Sequence, residues 1–273
     1  RLSRMLNIYA AQGEFESALL VVVPFRPVKN FTLRVGDLRD GDRVVPASAV
    51  DAKIVKRWFR SGGAWMTYHA DKRQRVLVPD LLLNDDSIMR VDEIRASNEM
   101  LMRWPRGERY VDISRYDYDQ VYMDHATIPF RDAESLQPLD LPEAGRNQPY
   151  CLTFNVSTNT VPGLYTGKIE LLADNKPIGD VAVNLRVLPF ALPEAKTYYD
   201  TSRTYFSHIN YAATASEEIF ASSIRHLKEH NLLNASRVAD TPWQIEIARK
   251  AGYPLKELVS AGSPSPRMWW RNF

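Results

Sequence analysis

The chain has 273 residues, 45% of them hydrophobic and 25% charged, with 35 basic side chains against 33 acidic ones for a net charge of +2. That length and mix suit a globular protein of more than one domain, and the near-balance of charge excludes the clustered basic surface of a nucleic-acid binder. No apolar run approaches the roughly 20 residues that a membrane-spanning helix needs.

In chain order, the first two-thirds reads as β structure. Glu14 to Val23 is an aliphatic, β-branched run stopped by Pro24. Phe31 to Val35 alternates apolar and polar side chains, the signature of a half-buried strand. Gly36-Asp37 turns that strand, Asp40-Gly41-Asp42 is another turn signal leading to Val44-Val45-Pro46, and Lys53 to Phe59 is a further strand candidate. The stretch from about 62 to 140 is rich in aromatics, Arg and Asp, and its periodicity is broken. It reads as a long excursion between sandwich strands, of a length that usually carries function or packs on a neighbour. Regular strands return at Pro149 to Val156 and Tyr165 to Leu172, separated by the Pro162-Gly163 turn. Asp174-Asn175-Lys176-Pro177 reads as a hairpin turn before an alternating segment that points Val181, Val183, Leu185 and Val187 one way. Short strands divided by such turns predict an antiparallel β-sandwich over 1–193. The single cysteine, Cys151, forms no intrachain disulfide and reads as a small buried hydrophobe on its strand.

After Pro193 the pattern changes. Thr204-Tyr205-Phe206 is β-prone, and Thr214-Ala215-Ser216-Glu217 fits a capping box before a helix with Ile219, Phe220, Ile224 and Leu227 on one face. Asn234 to Val238 is a second short strand candidate. Asp240-Thr241-Pro242 opens a second helix, with Ile245, Ala248 and Ala251 inward and Gly252 as its stop. Strand, helix, strand, helix after an all-β region predicts the first βα units of a (β/α)-barrel over 194–273, far short of the roughly eight that close one. The chain begins at Arg1 with no signal peptide and ends in the aromatic stretch Met268 to Phe273, so both ends read as cuts in a longer protein. A barrel cut this early is expected to leave Phe220, Ile224, Ile245 and Trp269 exposed.

Three segments, Gly13-Glu14-Phe15-Glu16-Ser17, Pro162-Gly163-Leu164-Tyr165-Thr166-Gly167-Lys168-Ile169 and Leu188-Pro189-Phe190-Ala191-Leu192-Pro193, together resemble the N-terminal sandwich of multidomain bacterial glycoside hydrolases. The resemblance is greatest to the group around glycoside hydrolase family 123 and spans about residues 10 to 193. It implies a sandwich followed by a TIM barrel, a secreted or periplasmic location, and hydrolysis of N-acetylhexosaminides assisted by the substrate's own acetamido group. In that family an adjacent Asp-Glu pair on a middle barrel strand carries the chemistry. The adjacent acids here, Asp92-Glu93, fall in the excursion instead, so the catalytic residues are expected beyond Phe273.

Within the chain, active sites of such barrels lie at the C-terminal ends of the strands. That places His208 and Asn210, after the first strand candidate, as substrate-contact candidates beside a merely structural reading. Asp240, after the second, is explained equally well by helix capping. Asn84-Asp85-Asp86-Ser87 with Asp112, Asp117, Asp119 and Asp124 supplies oxygen ligands, but in no calcium-loop spacing, and turns or pairs with Arg109 and Arg115 account for them better. Trp58, Trp65, Tyr68, Trp104, Tyr110, Tyr116 and Tyr118 suit either stacking on sugar rings or burial between domains. His226 and His230 have helical spacing without a third ligand, so no metal is expected. No phosphate loop, dinucleotide fingerprint or nucleophile elbow occurs, so no cofactor is expected. The reading is therefore a carbohydrate-active enzyme fragment with a glycan partner. Its rival is a non-catalytic glycan-binding or structural sandwich, which a row of exposed aromatics on one sheet face would favour. A carbohydrate lyase stays open as a third reading.

Overall fold

The computed structural model describes residues 4–61, 75–114, 131–192, 216–229 and 241–253. The chain divides into two compact units, one holding every strand named below and the other the two helices. The strands are β1 (Met5–Gln12), β2 (Phe15–Val22), β3 (Val28–Val35), β4 (Leu38–Asp40), β5 (Arg43–Val45), β6 (Val50–Ser61) and β7 (Arg75–Leu83). After them come β8 (Met89–Asp92), β9 (Ser97–Trp104), β10 (Gly107–Asp112), β11 (Leu139–Leu141), β12 (Gln148–Asn155), β13 (Gly163–Ala173) and β14 (Lys176–Ala191).

The first sheet runs β1-β14-β13-β3-β11, with β4 on β13 and β5 on β4; the second runs β2-β12-β6-β7; the third, smaller one runs β10-β9-β8. Among the described residues every pairing is antiparallel except β1 with β14. The alternation on β14 is realised: Val181, Val183, Leu185 and Val187 are all buried. They share one core with Phe31 and Leu33 of β3 and with Ile54, Tyr150, Leu152 and Phe154 of the second sheet. The Phe31 and Tyr150 rings meet across it, 6.0 Å between centroids. Asp174 and Asn175 form the two-residue hairpin loop between β13 and β14 with φ of +49° and +60°. That is the geometry that matches the right-handed twist of the strands it joins.

Several expectations change in the structure. Cys151 is only half-buried. It sits between Tyr150 and Leu152, whose side chains enter the core, and so belongs to the opposite face of the sheet. The excursion carries strands of its own: β7 extends the second sheet, and β8, β9 and β10 make the third. β1 also went unread, because Met5 to Gln12 is alanine-containing and opens on no turn. β14 runs on through Pro189 because the β1–β14 register shifts between Ala10 and Gln12, and such an irregularity tolerates a residue without an N–H.

The second unit contributes helices α1 (Glu217–Glu229) and α2 (Pro242–Lys250). Phe220, Ile224 and Leu227 form the buried stripe of α1, but Ile219 lies about a quarter-turn off it and is 51% exposed. Phe220 meets Trp243 edge-on, 5.3 Å between ring centroids, and Ala248 and Tyr253 complete the small core. Phe220 and Ile224 are therefore covered within this unit rather than left bare. Thr214 lies outside the described residues; Ser216 Oγ accepts the Ile219 N–H at 3.4 Å. At the start of α2, the Thr241 N–H donates to Gln244 Oε1 at 3.0 Å, and Pro242 fills the first turn. Gly252, at φ +67°, ends the helix: its N–H donates to Arg249 O and the Tyr253 N–H to Ala248 O, both at 2.9 Å. These are the two bonds of a Schellman stop. The strand candidates Thr204–Phe206 and Asn234–Val238 lie outside the described residues, as does Trp269.

Candidate functional site

Among the described residues, the best-formed concavity opens where β12 leaves β6. β12 pairs with β6 only as far as Tyr150 opposite Ile54. Beyond that fork, Val55, Lys56 and Arg57 of β6 and Gln148 and Pro149 of β12 wall a cleft of about 280 Å3. Asp86, Glu93, Asp140, Glu143 and Arg146 also line it. The fork frees backbone groups of β6, and Gln148 Nε2 reaches back to Val55 O at 3.4 Å.

Most of the lining charges are engaged with each other. Lys56 Nζ sits 2.7 Å from Asp86 Oδ2 and also donates to the Asp86 carbonyl at 3.2 Å. The turn between β11 and β12 presents Arg146, which bridges Glu93 and Glu143, the latter at 2.9 Å. That turn is pinned by the Gly145 N–H donating to Pro24 O at 2.7 Å, with Gly145 at φ +78°. Partial burial works against the Arg146 charge, yet hydrogen bonds and proximity to Glu143 and Glu93 raise its pKa above the usual value. Near this end of the core, the Tyr150 hydroxyl is buried with no partner among the described residues. Burial, and secondarily the negative charge of Asp86, push that phenol above its ordinary range. No Ser, Thr, Cys or His lines the cleft, and its Lys-Asp and Arg-Glu pairs are suited to fixing shape and presenting hydrogen-bonding edges.

The residues singled out by sequence are scattered. His208, Asn210 and Asp240 lie outside the described residues, as do Arg115, Asp117, Asp119, Asp124, Trp65, Tyr68, Tyr116, Tyr118 and His230. Among the described residues no group of three His, Cys, Asp or Glu side chains is placed to hold a metal. Asp85 and Asp112 act as local turn caps, accepting from Ser87 N and Ser114 N at 2.9 and 2.8 Å. Trp58 donates to Asp80 at 2.6 Å. The Arg90 guanidinium lies 3.5 Å from the centre of the Tyr110 ring, and Arg109 lies 5.1 Å from that of Trp104. The exposed aromatics among the described residues are Tyr9, Phe15, Phe25, Trp104 and Phe190; Tyr9 and Phe190 lie on the paired strands β1 and β14 of the first sheet, whereas Phe15 and Trp104 belong to the other two sheets.

The cleft itself was missed in the sequence except for Asp86 and Glu93, which were noted for other reasons. A signal existed in Leu141-Pro142-Glu143-Ala144-Gly145-Arg146, where Pro142 and Gly145 directly precede an acid and a base three residues apart. Its partners across the cleft are distant in sequence, and no local pattern links them.

No family model matches the chain, and no curated protein matches it. Among solved structures, it is similar to a family 123 glycoside hydrolase from Clostridium perfringens, described in terms of glycolipid glycan hydrolysis. The two are 12% identical with a TM-score of 0.42, and the match covers 85% of this chain and 29% of the other. The chain thus spans less than a third of the length of that enzyme.

Proposed function

We propose that this chain is the β-sandwich of a carbohydrate-active protein related to glycoside hydrolases that act on N-acetylhexosaminides. In this reading the sandwich buttresses a (β/α)-barrel begun after Pro193, the partner is a glycan, and the setting is secreted or periplasmic. The observation that carries it is the role of the segment 162–169, on which the family resemblance chiefly rests. Tyr165 is buried in the shared core with its hydroxyl donating to Val161 O at 2.8 Å. Gly167 is so closely packed that a Cβ there would fall 2.7 Å from Asp37 O and 2.6 Å from Leu38 Cδ2. These residues build the scaffold and perform no chemistry, as a supporting domain requires. Fold alone does not give function, so the reading depends on this residue-level resemblance.

A second reading, a non-catalytic glycan-binding module, is favoured by the 280 Å3 cleft with its hydrogen-bonding walls. One assay tests what the two readings share. The 273-residue chain is expected to be retained on immobilised N-acetylhexosamine-terminated glycans without releasing 4-methylumbelliferone from the matching fluorogenic glycosides. Retention on no glycan would overturn the carbohydrate reading, and turnover would overturn the supporting role.

A further inference from the structure

Two of the charges lining the cleft have no counterion among the described residues. Arg57 is half-buried, and its guanidinium makes neither a hydrogen bond nor an ion pair there. Asp140 uses Oδ1 to accept the Asn30 N–H at 2.9 Å, and its Oδ2 has no partner there. The remaining lining charges are matched, Lys56 with Asp86 and Arg146 with Glu93 and Glu143. Leaving a partly desolvated guanidinium unpaired is unfavourable, which makes Arg57 the first group a ligand would satisfy.

The charge pattern selects the ligand. An anion would suit Arg57 but would meet Asp86, Glu93, Asp140 and Glu143 around the same cleft. A cation would suit Asp140 but would meet Lys56, Arg57 and Arg146. A hydroxyl both donates and accepts, so a neutral ligand with several hydroxyls answers both free groups without bringing a like charge close. The volume suits one small ring, and Leu139, Pro142 and Pro149 supply apolar lining for its C–H face.

We infer that the fork between β6 and β12 is a binding site for a single neutral saccharide unit, with Arg57 donating to one hydroxyl and Asp140 accepting from another. This inference deepens the carbohydrate reading and rests on it. It assigns the cleft to binding, apart from any hydrolysis.

The test is saturation-transfer NMR on the intact 273-residue chain. The probes are the methyl β-glycosides of N-acetylglucosamine and glucose, with glucuronate and glucosamine as charged counterparts. Both neutral glycosides are expected to bind. Arg57→Ala and Asp140→Asn should each weaken them about tenfold, the loss of one hydrogen bond to a charged group. Arg57 has no partner to lose, and Asp140→Asn keeps the acceptor for Asn30, so both variants should fold. Unchanged thermal unfolding would establish that a weakened Kd reports the site. Binding of glucuronate alone would overturn the proposal in favour of an anion site. Neutral binding indifferent to both substitutions would also overturn it, placing the sugar elsewhere and leaving the carbohydrate reading intact. Absence of binding by every probe would overturn the inference, while glycan retention and glycoside turnover would still decide the broader reading.

Discussion

On β14 the buried positions are Val181, Val183, Leu185 and Val187, whereas between Arg75 and Ser114 they include Asn84 and Asn98. The first region is built by apolar burial, the non-directional force that needs only the right period. The second is tied down by directional bonds from buried amides to backbone. Asn98 Oδ1 accepts the Phe59 N–H at 2.9 Å while its Nδ2 donates to Phe59 O at 2.7 Å, standing in for the strand that β6 lacks beyond the fork. Asn84 donates to Ala133 O at 2.6 Å and accepts from Lys53 at 2.9 Å, and the Asp132 carboxylate receives the backbone N–H groups of Asn84, Asp85 and Ala133. The cleft lies beside the tethered segment, walled by strands β6, β11 and β12 on one side and by Asp86 and Glu93 on the other. The lesson is that a polar wall of fixed shape needs buried polar anchors, which an apolar core does not provide.

The comparison can be broken most forcefully in the core. Phe154→Ala, in the shared cluster, should cost about 3–5 kcal/mol of unfolding free energy in denaturant titration. Asn98→Ala should cost about 2–3 kcal/mol, because it strands the Phe59 N–H and C=O. The two should also differ in kind: Phe154→Leu should recover much of the loss, while Asn98→Leu should recover none. Equal rescue would erase the distinction between the regions. Tyr150→Phe sharpens it from the opposite side. The hydroxyl has no described partner, so the change should leave stability unaltered or raise it by up to about 1 kcal/mol. A larger loss would reveal a bond the core depends on.

The smallest expected effect is on the outer face of the first sheet. Hydrogen bonds from Lys168 and Arg34 lower the Glu170 carboxyl pKa below the usual range. A depressed folded-state pKa gives stability that is present above the unfolded value and lost as pH falls through the folded one. Glu170→Gln should therefore lower stability slightly at and above neutrality, with the loss fading as pH falls through the carboxyl range, so that the acid limb flattens. The pair is exposed, so salt should shrink even that. An unchanged acid limb at low salt would show that the pair contributes nothing.

The same contrast explains what was legible in the sequence. The strands over Phe31–Val35 and Val181–Val187 announce themselves by alternation, and the Asp174-Asn175 turn by residues that tolerate positive φ. β7 to β10 were hidden because their buried set mixes Met89 and Leu101 with Asn84 and Asn98, which blurs the period. Ile219 was misassigned because a helix face is narrower than the run of apolar residues beside it. The cleft was hidden because Arg146 and Glu93 are 53 positions apart, and only the folded chain brings them together.

The most direct test of the account is amide hydrogen exchange at Phe59 and Asn84, in the wild type and in Asn98→Ala. The account predicts that both amides in the wild type exchange nearly as slowly as those of β12. It also predicts that the variant releases Phe59 while leaving β12 protected. Fast exchange at Phe59 in the wild type, or uniform loss of protection in the variant, would contradict the claim that buried amides hold this wall of the cleft.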